Sequence, residues 1–227
     1  RRWLLRPPHP ADHHAGRRGG GGAGGDSCES SGLGVCRKAP RPGLVKTRRA
    51  GAVGADAACA IYCELVEKVL GKLRCFPSVE LRYTPDDAGE EIRPWLRPGW
   101  TMAPQGGGNL GERMNRALAG QAARGADRSV IIGSDCPDVE SADIESAWAA
   151  LGPGHVVLGP AEDGGYWLIG LRRPEARLFT DMPWSTNRGM AETVERAGRD
   201  GLQVHDLRAE TGRGWEGWED RGRRCHE

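Results

Sequence analysis

Apolar and polar positions change their period several times along this chain. Over 55–73, "ADAACAIYCELVEKVLGKL", the residues Ala58, Ile61, Tyr62, Leu65, Val66, Val69, Leu70 and Leu73 recur three and four apart. That spacing lays them along one face of a helix. "VELRY" (79–83) alternates instead, as a half-covered strand does. "RSVIIG" (128–133), "HVVLGP" (155–160) and "YWLIGL" (166–171) are short apolar runs of the kind that form strands covered on both faces. Further strands are predicted over "LGVCRKA" (33–39), "WTMAPQ" (100–105) and "LQVHDL" (202–207). Helical patterns occupy 110–123, 141–151 with Ser141 as N-cap, and 187–201 with Gly201 as the stop.

Strands and helices taking turns predict one α/β domain, a Rossmann-like sandwich with a mostly parallel sheet between helical layers. Such sheets bind ligands outside the carboxyl ends of their strands, so the loops that follow strands should carry the chemistry. The expected domain runs from 32 to 207. Residues 1–31 are Gly-rich and polar, and are expected to be a disordered tail. Residues 208–227 are expected to be an irregular polar tail. Residue 1 is Arg rather than Met, so it is not expected to be the natural start.

Bulk charge narrows the partners. Thirty-two Lys and Arg against 31 Asp and Glu leave a net charge of +1, which argues against nucleic acid or an anionic membrane as the target. No apolar run approaches the ~20 residues of a membrane span. The seven cysteines include no C-x-x-C pair, so a zinc ribbon or thioredoxin-like site is not indicated. Scattered thiols suit a reducing cytoplasm.

Four loops after strands hold the candidate chemistry. "KAPRPGLVKTRRA" (38–50) sets Pro42 and Gly43 in a stiff turn among Lys38, Arg41, Lys46, Arg48 and Arg49. It reads either as a diphosphate cradle or as a solvated basic loop, and its glycine spacing is not that of a Walker A loop. "QGGGNLGERM" (105–114) lets backbone approach a ligand through Gly106, Gly108 and Gly111, with the amides of Gln105 and Asn109 beside it. It also reads as a plain turn before a helix. "GSDCPD" (133–138) places Asp135 just past a strand, where a hard divalent cation would want an oxygen ligand. Cys136 beside it is read as packing, because no His lies near it in sequence. In "GPAEDGGYWLIGL" (159–171), Glu162 and Asp163 precede a Gly-Gly turn that permits a tight return into "YWLIGL". They could face the same site as a second ligand or general base, or be incidental acids of a hairpin turn. Trp184, Ser185 and Thr186 could wall a sugar or acceptor pocket, or simply enter a helix.

The ordered set "APRPGLVKTR", "GGGNLGERM", "IIGSDCPDV", "VVLGPAEDGGYWLIGL" and "LFTDMPWST" resembles a family of small bacterial glycosyltransferases of the GT-A, nucleotide-diphospho-sugar transferase superfamily. Some members carry arsenosugar-biosynthesis or radical-SAM/selenodomain-associated labels. The resemblance covers about 33–207. It implies a GT-A α/β/α sandwich and a metal-dependent transfer of sugar from a nucleotide-diphospho-sugar to a small acceptor. It also implies Mg²⁺ or Mn²⁺ on Asp135, with Lys46 and Arg48 on the diphosphate beside Pro42 and Gly43. Gln105, Gly108, Asn109 and Gly111 would lie by the base. Asp163 would face the acceptor or the metal. On the transferase reading Asp163 orients or deprotonates the acceptor hydroxyl, Lys46 adds charge as the leaving group departs, and Gly164, Gly165, Tyr166, Trp184, Ser185 and Thr186 are expected to form the acceptor or sugar pocket. The chain departs from the pattern at Asn109, where the family usually has Asp. Its first strand is more polar than usual, and after "LQVHDL" it lacks the late Asp that supplies a second metal ligand. Those departures predict an altered reading frame or start at the chain's edges. Two rival readings remain: a nucleotidyltransferase releasing pyrophosphate, with Arg172 and Arg173 receiving a phosphorylated acceptor, and a non-catalytic nucleotide-binding protein.

Overall fold

The structure, a computed structural model, describes residues 29–184 and 186–207, with the backbone alone for Arg48 and Arg49. The predictions for 1–28, 208–227 and Ser185 lie outside the described residues. Seven strands form one sheet: β1 (Ser31–Lys38), β2 (Glu80–Thr84), β3 (Thr101–Pro104), β4 (Arg128–Gly133), β5 (His155–Pro160), β6 (Tyr166–Leu171) and β7 (Gln203–Asp206). Their spatial order is β3-β2-β1-β4-β6-β5-β7. Every neighbouring pair is parallel except those of β6, which runs antiparallel to both β4 and β5. The helices are α1 (Thr47–Val53), α2 (Ala55–Lys72), α3 (Gly89–Ile92), α4 (Leu110–Ala123), α5 (Ser141–Ala150) and α6 (Gly189–Arg199).

Strand residues alternate between two cores, because successive side chains leave opposite faces of a sheet. Leu33, Val35, Leu81, Val130 and Ile132 pack with Val66, Val69, Leu70 of α2 and Ile144, Ala147 of α5. Ile131, Val156, Leu158 and Ile169 pack with Met114, Ala117 and Leu118 of α4 and Ala197 of α6. A fully buried Leu or Ile contributes about 1.5–3 kcal/mol of transfer free energy. Leu65, Leu70, Leu73, Leu81, Ile132, Leu158 and Leu168 all qualify. The alternation of "VELRY" has its reason here. Leu81 and Tyr83 join the first core, while Glu80 turns to the other face and meets Arg124 of α4 at 2.8 Å and Arg82 at 3.5 Å.

Three expectations change. The polar first strand is an eight-residue central strand, paired with β2 on one side and β4 on the other. It reaches back to Ser31, inside the expected tail. Gly32 and Gly34 belong to it because a Cβ on either would press against the Gln121 side chain of α4. Ser141 is the first residue of α5 rather than its cap; Glu140 holds the cap position and its N–H donates to Asp143 Oδ2 at 2.8 Å. Two short helices, α1 and α3, carry no apolar period of their own. Arg41 joins the first basic loop to α3 through Glu91 at 2.6 Å and Asp87 at 3.1 Å.

Candidate active site

The chain leaves β1 for β2 and β3 on one side and returns to β4 on the other, so the sheet's switch point lies between the carboxyl ends of β1 and β4. Those ends are tied together. Ser134 N donates to Cys36 O at 3.1 Å. The Tyr62 hydroxyl of α2 donates to Lys38 O at 2.9 Å, accepts from Lys38 N at 3.0 Å, and lies 3.4 Å from Ser134 Oγ. From these two ends the loops bring Lys46 and Asp135 together, with Nζ 2.9 Å from Oδ2. Lys46 is left-handed, with φ 49° and ψ 39°. That conformation costs a non-glycine residue roughly 1–2 kcal/mol and concentrates at functional sites.

The antiparallel β6 changes the geometry of the fourth loop. It makes residues 161–165 a hairpin turn lying at the same edge as Asp135. Ala161 N donates to Gly165 O and Gly164 N to Ala161 O, at 3.0 and 3.1 Å. Asp163 is exposed and its Oδ1 accepts from Gly165 N at 3.0 Å. Gly164 has φ 81° and packs flat on the main chain of Asn187, where any Cβ would collide. Its carbonyl accepts from Met190 N at 2.9 Å, which fixes the turn to the first turn of α6.

A cavity of about 780 Å³ opens between these groups. Asp135, Glu162, Asp163, Gly165, Tyr166, Trp184 and Thr186, all singled out from sequence, line it. Lys46 reaches it through Asp135, and Gly164 sits within its acidic turn. Leu110 and Met114 of α4, Cys36, Asn187 and Gly189 also line it, and sequence reasoning missed them as site residues. Their periodicity reports burial, which a cavity wall shares with a core. Pro42, Gly43, Gln105, Gly108, Asn109 and Gly111 are not among its lining residues. Pro42 and Gly43 form an exposed turn ahead of Lys46. The side chain of Arg48 is outside the description.

The second loop turns out to be largely structural. Gln105 is buried, and its Nε2 donates to Arg37 O at 3.0 Å and Arg82 O at 2.9 Å, so those donors bind strand ends rather than a base. Asn109 is the N-cap of α4: its Oδ1 accepts from Glu112 N, and Glu112 Oε2 accepts from Asn109 N, both at 3.0 Å. Gly111 lets Trp184 and Phe179 press against the start of α4. Arg172 and Arg173, proposed for a phosphorylated acceptor, are at the wrong end. β6 runs antiparallel, so its last residue, Leu171, pairs with Ser129 and Val156 at the amino ends of β4 and β5. Arg172 there pairs with Glu29 at 2.5 Å.

Burial pushes the Cys36 thiol up to about 12, against the pull of Arg82, so it is no nucleophile near neutral pH. Cys136 is buried and serves as packing. Burial likewise pushes the Tyr166 phenol up to about 12, with Thr193 drawing it down. Among the described residues no group of three or more His, Cys, Asp or Glu side chains could hold a metal by protein ligands alone. The donors do fit a cation such as Mg²⁺, which takes one or two carboxylates and completes its shell with water and substrate phosphates. Asp135 and the acids at 162 and 163 share one cavity.

The mostly parallel seven-stranded sheet with flanking helices is a Rossmann-like α/β fold shared with nucleotide-sugar transferase neighbours. A crystal structure from Desulfovibrio desulfuricans G20, described as a "putative nucleotide-diphospho-sugar transferase", superposes with a TM-score of 0.74 at 35% identity, covering 80% of each chain. The chain belongs to the DUF2064 family, described as an uncharacterized protein conserved in bacteria, whose model matches residues 69–186. Two more distant structures share the fold. One is a cytidylyltransferase from Leptospira borgpetersenii (TM-score 0.51, 12% identity, 81% of this chain and 78% of that one). The other is a nucleotidyl transferase from Methanothermobacter thermautotroptrophicus (TM-score 0.50, 14% identity, 85% and 98%). No curated protein matches the chain. Among the described residues no helix is long and apolar enough to cross a membrane.

Proposed function

We propose that this protein is a cytoplasmic GT-A glycosyltransferase that moves a sugar from a nucleotide-diphospho-sugar to a small acceptor, with Mg²⁺ or Mn²⁺ as cofactor. The observation that carries the reading is the Lys46–Asp135 pair at the switch point, facing the Asp163 turn across one cavity. The described ionisable lining is predominantly acidic, so a diphosphate brought there requires positive charge. Lys46, just ahead of α1, supplies one cation, with Arg48 in that helix, and Asp135 would hold the metal. When bound, the metal neutralises charge that builds on the leaving diphosphate. Lys46 acts on that same charge and lowers the barrier electrostatically. The acceptor hydroxyl attacks the anomeric carbon while the bond to the diphosphate oxygen breaks. Its proton passes to Asp163, which Gly165 N–H keeps oriented. Gly164, Gly165, Tyr166, Trp184 and Thr186, together with Ser185, would enclose the transferred sugar.

Calorimetric titration with a panel of nucleotide sugars tests this. Binding with Mn²⁺ present is expected, falling at least tenfold with chelator and in Asp135→Asn and Lys46→Met. Nucleotide-sugar binding indifferent to chelator and to Asp135→Asn would remove the metal role. Pyrophosphate release from a nucleoside triphosphate, without turnover of any nucleotide sugar, would instead establish the nucleotidyltransferase reading.

A further inference from the structure

The cavity is unequal in its two chemistries. One end carries Asp135, Glu162 and Asp163. Leu110, Met114, Ile131, Ile169 and Trp184 supply apolar lining, with Tyr166, Thr186 and Asn187 as further polar lining. Leu110 is 48% exposed, an unusual state for a leucine on the first turn of an amphipathic helix, and it faces this cavity. No Lys, Arg or His is among the described lining residues. Lys46, the nearby cation, already faces Asp135 on the side assigned to the diphosphate. The Arg172–Arg173 pair that could have received an anionic acceptor lies at the opposite edge of the sheet.

We propose that the acceptor carries no phosphate or carboxylate and lays an apolar, ring-sized face against Leu110, Met114 and Trp184, with its hydroxyl toward Asp163. This rests on the transferase reading of the same site. An anionic acceptor would meet carboxylates with no cation among the described lining residues left to it beyond those assigned to the diphosphate, and burying an uncompensated charge is costly. An apolar face instead gains in proportion to the area it removes from water. The wall therefore selects by what it repels as well as by what it attracts.

The test is calorimetry on the full chain with 2-phenylethanol and its phosphate ester as probes, each titrated with and without UDP and Mn²⁺. The alcohol is expected to bind at least tenfold more tightly than the ester. Leu110→Asp should weaken the alcohol at least tenfold. That variant suits its helix, because an acid at the first position complements the helix dipole. Equal or tighter binding of the ester, no binding of the alcohol, or an alcohol affinity indifferent to Leu110→Asp would each overturn the proposal. Failure of the donor reading shows separately, as an absence of UDP binding in the unmodified protein.

Discussion

Removing one oxygen from Tyr62 measures how firmly the two loops of the switch point are joined. Its ring belongs to the core, and the helical spacing of 55–73 already placed it there. Its hydroxyl does something the spacing does not report: it bonds both polar groups of Lys38 and approaches Ser134. Tyr62→Phe keeps the packing and strands the Lys38 N–H and C=O, at a cost of about 1–3 kcal/mol. Urea unfolding should show that loss, and an unchanged midpoint would mean that water replaces the hydroxyl. The same blindness explains Gln105. An amide beside glycines looks available to a base in sequence, and only the register of β1 against β2 reveals that its donors are already occupied. That Asp135 and Asp163 would come to one cavity was legible in their position, because each lies just past a strand that ends at the same edge of the sheet.

At the level of elements, the strands and the long periodic helices were legible to within two residues at most ends, and the two short helices were not. α1 and α3 are held by what they touch: Arg41 links to Glu91, and Lys46 to Asp135. Neither contact has a periodic signature. The departure at Asn109 acquires a simple meaning here. Asn and Asp cap helices about equally well, so Asn109→Asp should leave stability within about 0.5 kcal/mol, whereas Asn109→Ala should cost about 1 kcal/mol. Thermal unfolding of the two variants checks this, and a large loss in Asn109→Asp would show that an added charge is not tolerated beside Glu112. The reversed direction of β6 was legible only as one of two readings, in the Gly-Gly turn that allows a hairpin return. "YWLIGL" is apolar on both faces, as parallel and antiparallel central strands alike can be. That single reversal relocates Arg172 and Arg173 from the site to the far edge.

For the whole molecule, two cores on two sheet faces confirm the layered α/β reading, and they place three acidic groups where water is scarce. Burial raises Cys36 to about 12, Cys63 to about 11 and Tyr166 to about 12, from ordinary values of 9.0, 9.0 and 10.0. Above about pH 9 the unfolded chain loses these protons first and the folded chain keeps them. The unfolded state then binds fewer protons, so stability falls as pH rises through this window and is fully present below it. A urea midpoint lower at about pH 10.5 than at about pH 8 is expected, and a flat profile would mean that the thiols are solvated. The acidic hairpin has a consequence for how such a molecule can diverge. Its turn ends one strand and begins the next, and its middle glycine lies flat on Asn187. One added residue would slip two strands at once and lift the turn off α6. The acids are therefore length-locked, while the wall on α4 can change side chain by side chain. In the proposed transferase, new acceptors could be acquired by repainting one helix face, with the acidic turn left where it stands.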